Sequence, residues 1–117
     1  LSTIGQPLGD FTYHLLPWLL PPTGEKVSSL VGLDLAALGI PSEDAYTQRY
    51  CELTGRSEIP NLDYYRAYTV WRIAAIYQGI IKRVQEGTAA SAEAPTDADF
   101  VRTFAATAMG YARKAGI

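Results

Sequence analysis

The sequence predicts an all-α fold of four main helices. Three observations carry this reading. Apolar residues recur at helical spacing over long stretches, Gly, Pro and Asn punctuate the chain between those stretches, and almost nothing reads as strand. At 117 residues the chain is one domain or a piece of one. An apolar content of 48% fits a packed core and excludes a disordered chain. No internal repeat is present.

Leu1 to Gly5 read as the end of a strand running into a turn closed by Pro7. The first helix is expected from about Leu8 to Leu20. Pro7 suits its first turn, where a missing N–H costs nothing. Phe11, Leu15, Leu16, Leu19 and Leu20 form its buried side, and Pro17 kinks it or ends its regular part. Pro21, Pro22, Thr23 and Gly24 stop it. From Thr23 to Ile40 the apolar residues lack clean periodicity, so short helical turns are expected, broken at Gly32 and Gly39.

The second helix starts at Pro41 or Ser42, with Glu43 and Asp44 at the positive end of its dipole. Ala45, Tyr46, Arg49, Tyr50 and Leu53 continue it, and Gly55 fits its C-terminal stop. The third helix runs from about Leu62 to Glu86, with Asn61 as N-cap and Gly87 as terminator. Ala67, Val70, Trp71, Ala74, Ile76, Tyr77, Ile80, Ile81 and Val84 surround most of it, the pattern of a central helix packed by several neighbours. Its length of almost 40 Å, at about 1.5 Å per residue, suits a larger body than this chain. Residues 89–95 form a small-residue linker. Thr96 opens the fourth helix with Asp99 as capping-box partner. Phe100, Phe104, Ala108, Tyr111 and Ala112 are its packing stripe, and Arg113 and Lys114 suit its negative end.

Composition excludes several functions. A net charge of -2 gives no nucleic-acid or anionic-membrane surface, and Lys82 with Arg83 reads as a solvated helix face. No apolar run approaches the roughly 20 residues that span a bilayer. The single Cys51 excludes an internal disulfide and a cysteine zinc site, and fits a reducing cytoplasm. His14, the one histidine, has no companion ligands at metal spacing and reads as a packing or capping residue. No serine sits in a nucleophile elbow. Phosphoryl transfer needs a nucleotide cradle, metal-binding carboxylates and a base. Gly5 and Gly9 form no phosphate loop, and no His-x-Asp followed by Asn is present. The chain alone holds neither catalytic residues nor a cofactor or metal site.

Asp10 stands out, beside the apolar side of the first helix. An exposed first-turn acid favoured by the dipole is the plain alternative. The segment Leu1-Ser-Thr-Ile-Gly-Gln-Pro-Leu-Gly-Asp-Phe-Thr-Tyr13 resembles the stretch that follows the metal-binding Asp in aminoglycoside-phosphotransferase-like kinases. Further matches cover nearly the whole chain: His14 to Trp18, Gly39 to Asp44, Tyr46 to Tyr50 with Thr54-Gly-Arg56, Asn61 to Tyr68, and Arg72 to Ile80. Together they resemble the kinase-like domains found beside acyl-CoA dehydrogenase modules.

The resemblance implies that residues 1–117 are the C-terminal helical subdomain of a protein-kinase-like fold. The nucleotide lobe, catalytic loop, ATP and Mg would belong to a missing N-terminal part of the same enzyme. The matching Asp in those kinases holds the catalytic loop by accepting hydrogen bonds from its backbone, which makes Asp10 the anchor of the missing loop. Gln6 replaces an Asp of the family pattern. The resemblance also implies a wall of the acceptor cleft, which Arg72 and Gln78, polar groups on the apolar third helix, are the residues to face. The lack of an acid cluster leans away from a polycationic aminoglycoside, and a hydroxylated acyl or other small alcohol acceptor is equally compatible. Uncovered apolar surface should drive self-association of the isolated chain. The alternatives are a non-enzymatic helical interaction module and a small-ligand module built on the tyrosines, among them Tyr46, Tyr50, Tyr64, Tyr65, Tyr68 and Tyr77.

Overall fold

The computed structural model describes residues 7–21, 29–86 and 99–116. Among these the chain is all helical, with no strand: α1 (Pro7–His14), α2 (Leu16–Leu19), α3 (Glu43–Thr54), α4 (Leu62–Gln85) and α5 (Asp99–Lys114). The expectations for Leu1 to Gly5, Gln6, the 22–24 stop, Gly87, the 89–95 linker and the Thr96–Asp99 cap lie outside the described residues.

The first helix is two helices rather than one. Pro17 has no N–H for the Tyr13 carbonyl, and its ring crowds that carbonyl. The regular ladder therefore ends at His14, ahead of the proline, and a tight turn follows in which Leu15 N–H donates to Thr12 O (2.9 Å) and Trp18 N–H to Leu15 O (2.9 Å). The bend lets Phe11, Leu15, Leu16, Leu19 and Leu20 all reach the core.

The connector forms the expected turns. The Asp34 carboxylate accepts from Ala37 N–H (3.2 Å), and Gly39 at φ 71° closes the turn through Gly39 N–H to Ala36 O and Ile40 N–H to Leu35 O. These paired bonds satisfy carbonyls that a helix end leaves open. α3 begins with Ser42 Oγ accepting from Ala45 N–H (3.1 Å), and Gly55 at φ 72° ends it with the same pairing, Arg56 N–H donating to Cys51 O.

Asn61 stands ahead of α4, but its side chain makes no capping bond. Its backbone sits at φ 57°, a conformation Asn tolerates better than most residues, and its carbonyl accepts from Tyr65 N–H.

α4 and α5 form an antiparallel pair that carries most of the core. Tyr77 on the later half of α4 meets Phe100 (5.2 Å) and Phe104 (6.4 Å) on the first half of α5, while Arg66 near the start of α4 lies over Tyr111 near the end of α5. Phe104 is 0% exposed, and Val70, Ala74, Ile81 and Leu15 are buried with it. α1 and α2 pack across α4. α3 joins through its rings: Phe11 stacks on Tyr50 (4.0 Å) and Tyr46 (5.8 Å), and Trp18 stacks on Tyr46 (5.0 Å). Indole Nε1 of Trp18 donates to Pro41 O (3.0 Å).

The expectation that α4 is buried around most of its circumference needs correcting. Ala67, Val70, Ala74 and Ile81 are buried, but Trp71 is 58% and Ile76 41% exposed. The neighbours cover only part of the helix, and the stripe through Tyr64, Tyr68 and Trp71 faces outward.

Candidate functional site

Asp10 projects from α1 at the edge of a recess between α1 and α3. The sequence places it one turn ahead of His14, and Arg49 lies one turn ahead of Leu53 on α3; these four residues share the recess. Its volume is about 450 Å³, and the stacked rings of Phe11, Tyr46 and Tyr50 line it with Pro7. Asp10 is exposed and has no hydrogen-bond or ion-pair partner among the described residues. His14 is likewise exposed, and Leu53 is 68% exposed. The recess thus combines an aromatic wall with a carboxylate, an imidazole and a guanidinium at its margin. Arg49 is already engaged by Glu52 (3.2 Å).

Arg72 and Gln78 do not converge. Six positions on a helix separate side chains by about 120° in azimuth and about 9 Å along the axis. Arg72 is half-buried and lies over the Tyr13 ring of α1 (5.3 Å to the centroid), a cation–π contact. Gln78 is exposed on the same edge of α4 as Trp71, one heptad further on.

A cluster that the sequence did not mark joins three helices. Arg66 Nε donates to Glu43 (2.8 Å) at the start of α3, and Arg66 Nη1 donates to Asp63 (2.8 Å) one turn back on α4. Its guanidinium lies 5.8 Å from the Tyr111 ring of α5, and Lys114 Nζ lies 5.3 Å from the same ring. Burial works against the Arg66 charge, but the hydrogen bonds to Asp63 and Glu43 outweigh it and raise its pKa. Burial, with the Glu43 charge, pushes the Tyr111 phenol above its ordinary range. The one available signal was an Arg within a helix face otherwise rich in Tyr and Ala; its Glu43 partner lies 23 positions away.

The chain is 35% identical over 99% of its length to acyl-CoA dehydrogenase family member 10 of Mus musculus, and covers 11% of that protein. It is 30% identical over 97% of its length to acyl-CoA dehydrogenase family member 11 of Homo sapiens, covering 14% of it. To family member 11 of Pongo abelii it is 29% identical, covering 15%. The chain therefore spans between about a ninth and a seventh of the relatives it matches. No family model and no solved structure matches it. The similarity agrees with the acyl-CoA dehydrogenase association expected from the sequence motifs.

Among the described residues no group of three or more His, Cys, Asp and Glu is placed to hold a metal ion. No described helix is long and apolar enough to cross a membrane. Cys51 is a buried free thiol.

Proposed function

We propose that this chain is the helical, substrate-side subdomain of an ATP-dependent phosphotransferase that acts on a small-molecule hydroxyl. In this reading ATP, Mg and the catalytic loop belong to another part of a longer polypeptide, of a protein-kinase-like fold. The observation that carries it is the match, nearly end to end, to a small share of much longer acyl-CoA dehydrogenase family members, in a chain whose motifs resemble in order those of the kinase-like domains. The all-helical architecture supports it, as does an Asp10 carboxylate that takes no partner among the described residues and faces an open recess. A carboxylate removed from water is tolerated when several donors satisfy it, and the backbone N–H groups of a docked loop are such donors. A hydroxylated acyl group or other small alcohol is compatible as acceptor, and the sequence has no acid cluster to favour a polycation. Arg72 would then serve chiefly to brace α1 through Tyr13, and Gln78 is the more accessible of the two polar groups on α4.

The test is ADP release by the longer polypeptide with a panel of small hydroxylated acceptors, beside the 117-residue chain. The longer polypeptide is expected to turn over ATP with at least one acceptor, and the chain alone to bind no ATP. Asp10→Asn should lower kcat about 10- to 100-fold while changing KM little, because a displaced catalytic loop loses alignment. A longer polypeptide that binds no ATP overturns the reading.

A further inference from the structure

α1 meets α4 at two levels, one turn apart. Gly9 and Tyr13 lie four positions apart on α1, as do Tyr68 and Arg72 on α4, and side chains so spaced share a face. At the later level Tyr13 reaches Arg72, whose guanidinium lies 5.3 Å from the ring centroid. At the earlier level Gly9 has no side chain, and a recess of about 340 Å³ opens there, walled by Tyr64, Tyr65 and Tyr68. Tyr64 and Tyr65 meet edge to face (5.5 Å), and Tyr64 and Tyr68 are each 49% exposed. None of the three hydroxyls has a hydrogen-bond partner among the described residues. Tyr64 and Tyr68 also border an apolar groove toward α5, with Met109 on its far side. The recess at Gly9 differs in having phenols on its walls and a cation one turn beyond.

Arg72 shows what the recess lacks. Among the described residues, the half-buried charged side chains are Glu43, Asp63, Arg66 and Arg72. Arg66 lies over Tyr111 and holds both Glu43 and Asp63. Arg72 lies over Tyr13 in the same way, but it has no ion pair and no hydrogen bond among the described residues. A ring takes only the face of a guanidinium, and the five N–H donors point outward in its plane. The guanidinium keeps its charge at every ordinary pH, so a half-buried one is stabilised by an oxyanion on that edge. Asp10 is not that oxyanion: it borders the recess on the α3 side of α1 and makes no ion pair. The volume stands at the low end of the range that small-molecule sites span, roughly 300–1,000 Å³, which suits a ligand built on one ring. Phenol walls offer such a ring both faces and edges.

We propose that the seam from Gly9 to Arg72 binds a small aromatic anion. Its ring lies among Tyr64, Tyr65 and Tyr68, and its carboxylate or phosphate takes the N–H edge of Arg72. The site is separate from the recess that Asp10 borders. Nothing in it depends on ATP or on a longer polypeptide, so failure of the ADP-release assay leaves it standing.

The test titrates the 117-residue chain with benzoate, with phenyl phosphate and with benzamide, a neutral isostere of benzoate. The ring resonances of Tyr13 and Tyr65 report binding by NMR. At least one of the two anions should shift both rings to saturation and bind at least tenfold more tightly than benzamide. The tighter of the two anions identifies the recognised group as carboxylate or phosphate. Arg72→Met keeps the stem over Tyr13 and should abolish the preference for the anion. Gly9→Leu keeps every charge and fills the recess. A Cβ added at Gly9 meets nothing within 4 Å, and Leu is the better helix former, so this variant folds. It should weaken the anion at least tenfold. The proposal is overturned by absence of a Tyr65 shift with either anion, or by equal affinity for anion and benzamide. A preference that survives Arg72→Met, or binding undiminished in Gly9→Leu, overturns it as well.

Discussion

Arg66 shows what a single side chain does here. It pairs with Glu43 and Asp63 at 2.8 Å each and lies on Tyr111, so one guanidinium ties α3 and α5 to α4. Replacement by Met keeps the stem and removes the charge, leaving two carboxylates that still reach water. Arg66→Met should therefore cost about 1–2 kcal/mol in urea unfolding, at the low end for a broken, partly buried pair. Tyr111 supplies a pH test. Its pKa is raised above the ordinary 10.0 first by burial and then by the Glu43 charge. A pKa raised on folding means that Tyr111 contributes stability fully below that ordinary value, and the contribution is lost as pH rises through the folded value. The difference in phenolate absorbance between the unaltered chain and Tyr111→Phe should show a phenol titrating above the ordinary tyrosine value. In Arg66→Met the late titration should move later still, because the cation that favours phenolate is gone. None of this was legible in the sequence beyond Glu43, which reads there as a dipole-favoured acid. Local spacing is blind to a partner 23 positions away.

At the scale of elements the sequence was more telling, because caps and breakers act locally. Ser42 and Gly55 do at the ends of α3 what their chemistry suggests: a hydroxyl accepts from Ala45 N–H, and a left-handed residue closes the helix. A Cβ added at Gly55 would meet nothing within 4 Å, so Gly55→Ala strains only the backbone and should cost about 1 kcal/mol. Ser42→Ala should cost about 1 kcal/mol by leaving a helix N–H unpaired. The two sites share no partner, so the double variant should lose close to the sum in thermal or urea unfolding. Elements whose limits are set by packing were harder to read. Pro17 announced a break, but its position at Leu15 follows from the ring's conflict with the Tyr13 carbonyl. Asn61 has a capping side chain, yet the chain enters α4 through its left-handed backbone instead. The apolar content of α4 suggested neighbours on most sides; periodicity records which residues want cover, and Trp71 and Ile76 find none among the described helices. For the same reason Asp10 was legible as a distinctive residue, whereas its recess, built from α1 and α3 together, was not.

Across the whole molecule, charge and apolar exposure divide in the same way. The basic pair α4 and α5 presents an aromatic groove, and residues 29–61 present exposed Val31, Leu33, Leu38 and Leu53 beside Asp34, Asp44, Glu52 and Glu58. An isolated chain should therefore associate with its own copies, the acidic side of one against the α4–α5 face of the next. Such a contact joins two different surfaces, so each copy keeps one of each kind free and the assembly has no natural end. Two physical origins give opposite responses to salt. Association driven by apolar burial alone persists or strengthens as salt rises, whereas association that depends on opposed charges weakens once the screening length falls well below about 10 Å. Light scattering at about 0.05 M and about 0.5 M salt separates them, across a range of screening lengths from roughly 14 Å to roughly 4 Å. The expected result is an apparent mass that climbs with concentration without a plateau at low salt and returns toward the monomer at high salt. Met109→Glu, which places an acid in the groove, should lower the low-salt mass by blocking the apolar seat. A closed dimer of constant mass, indifferent to salt and to Met109→Glu, would mean that the exposed strip on α4 and α5 plays no part in holding the copies together.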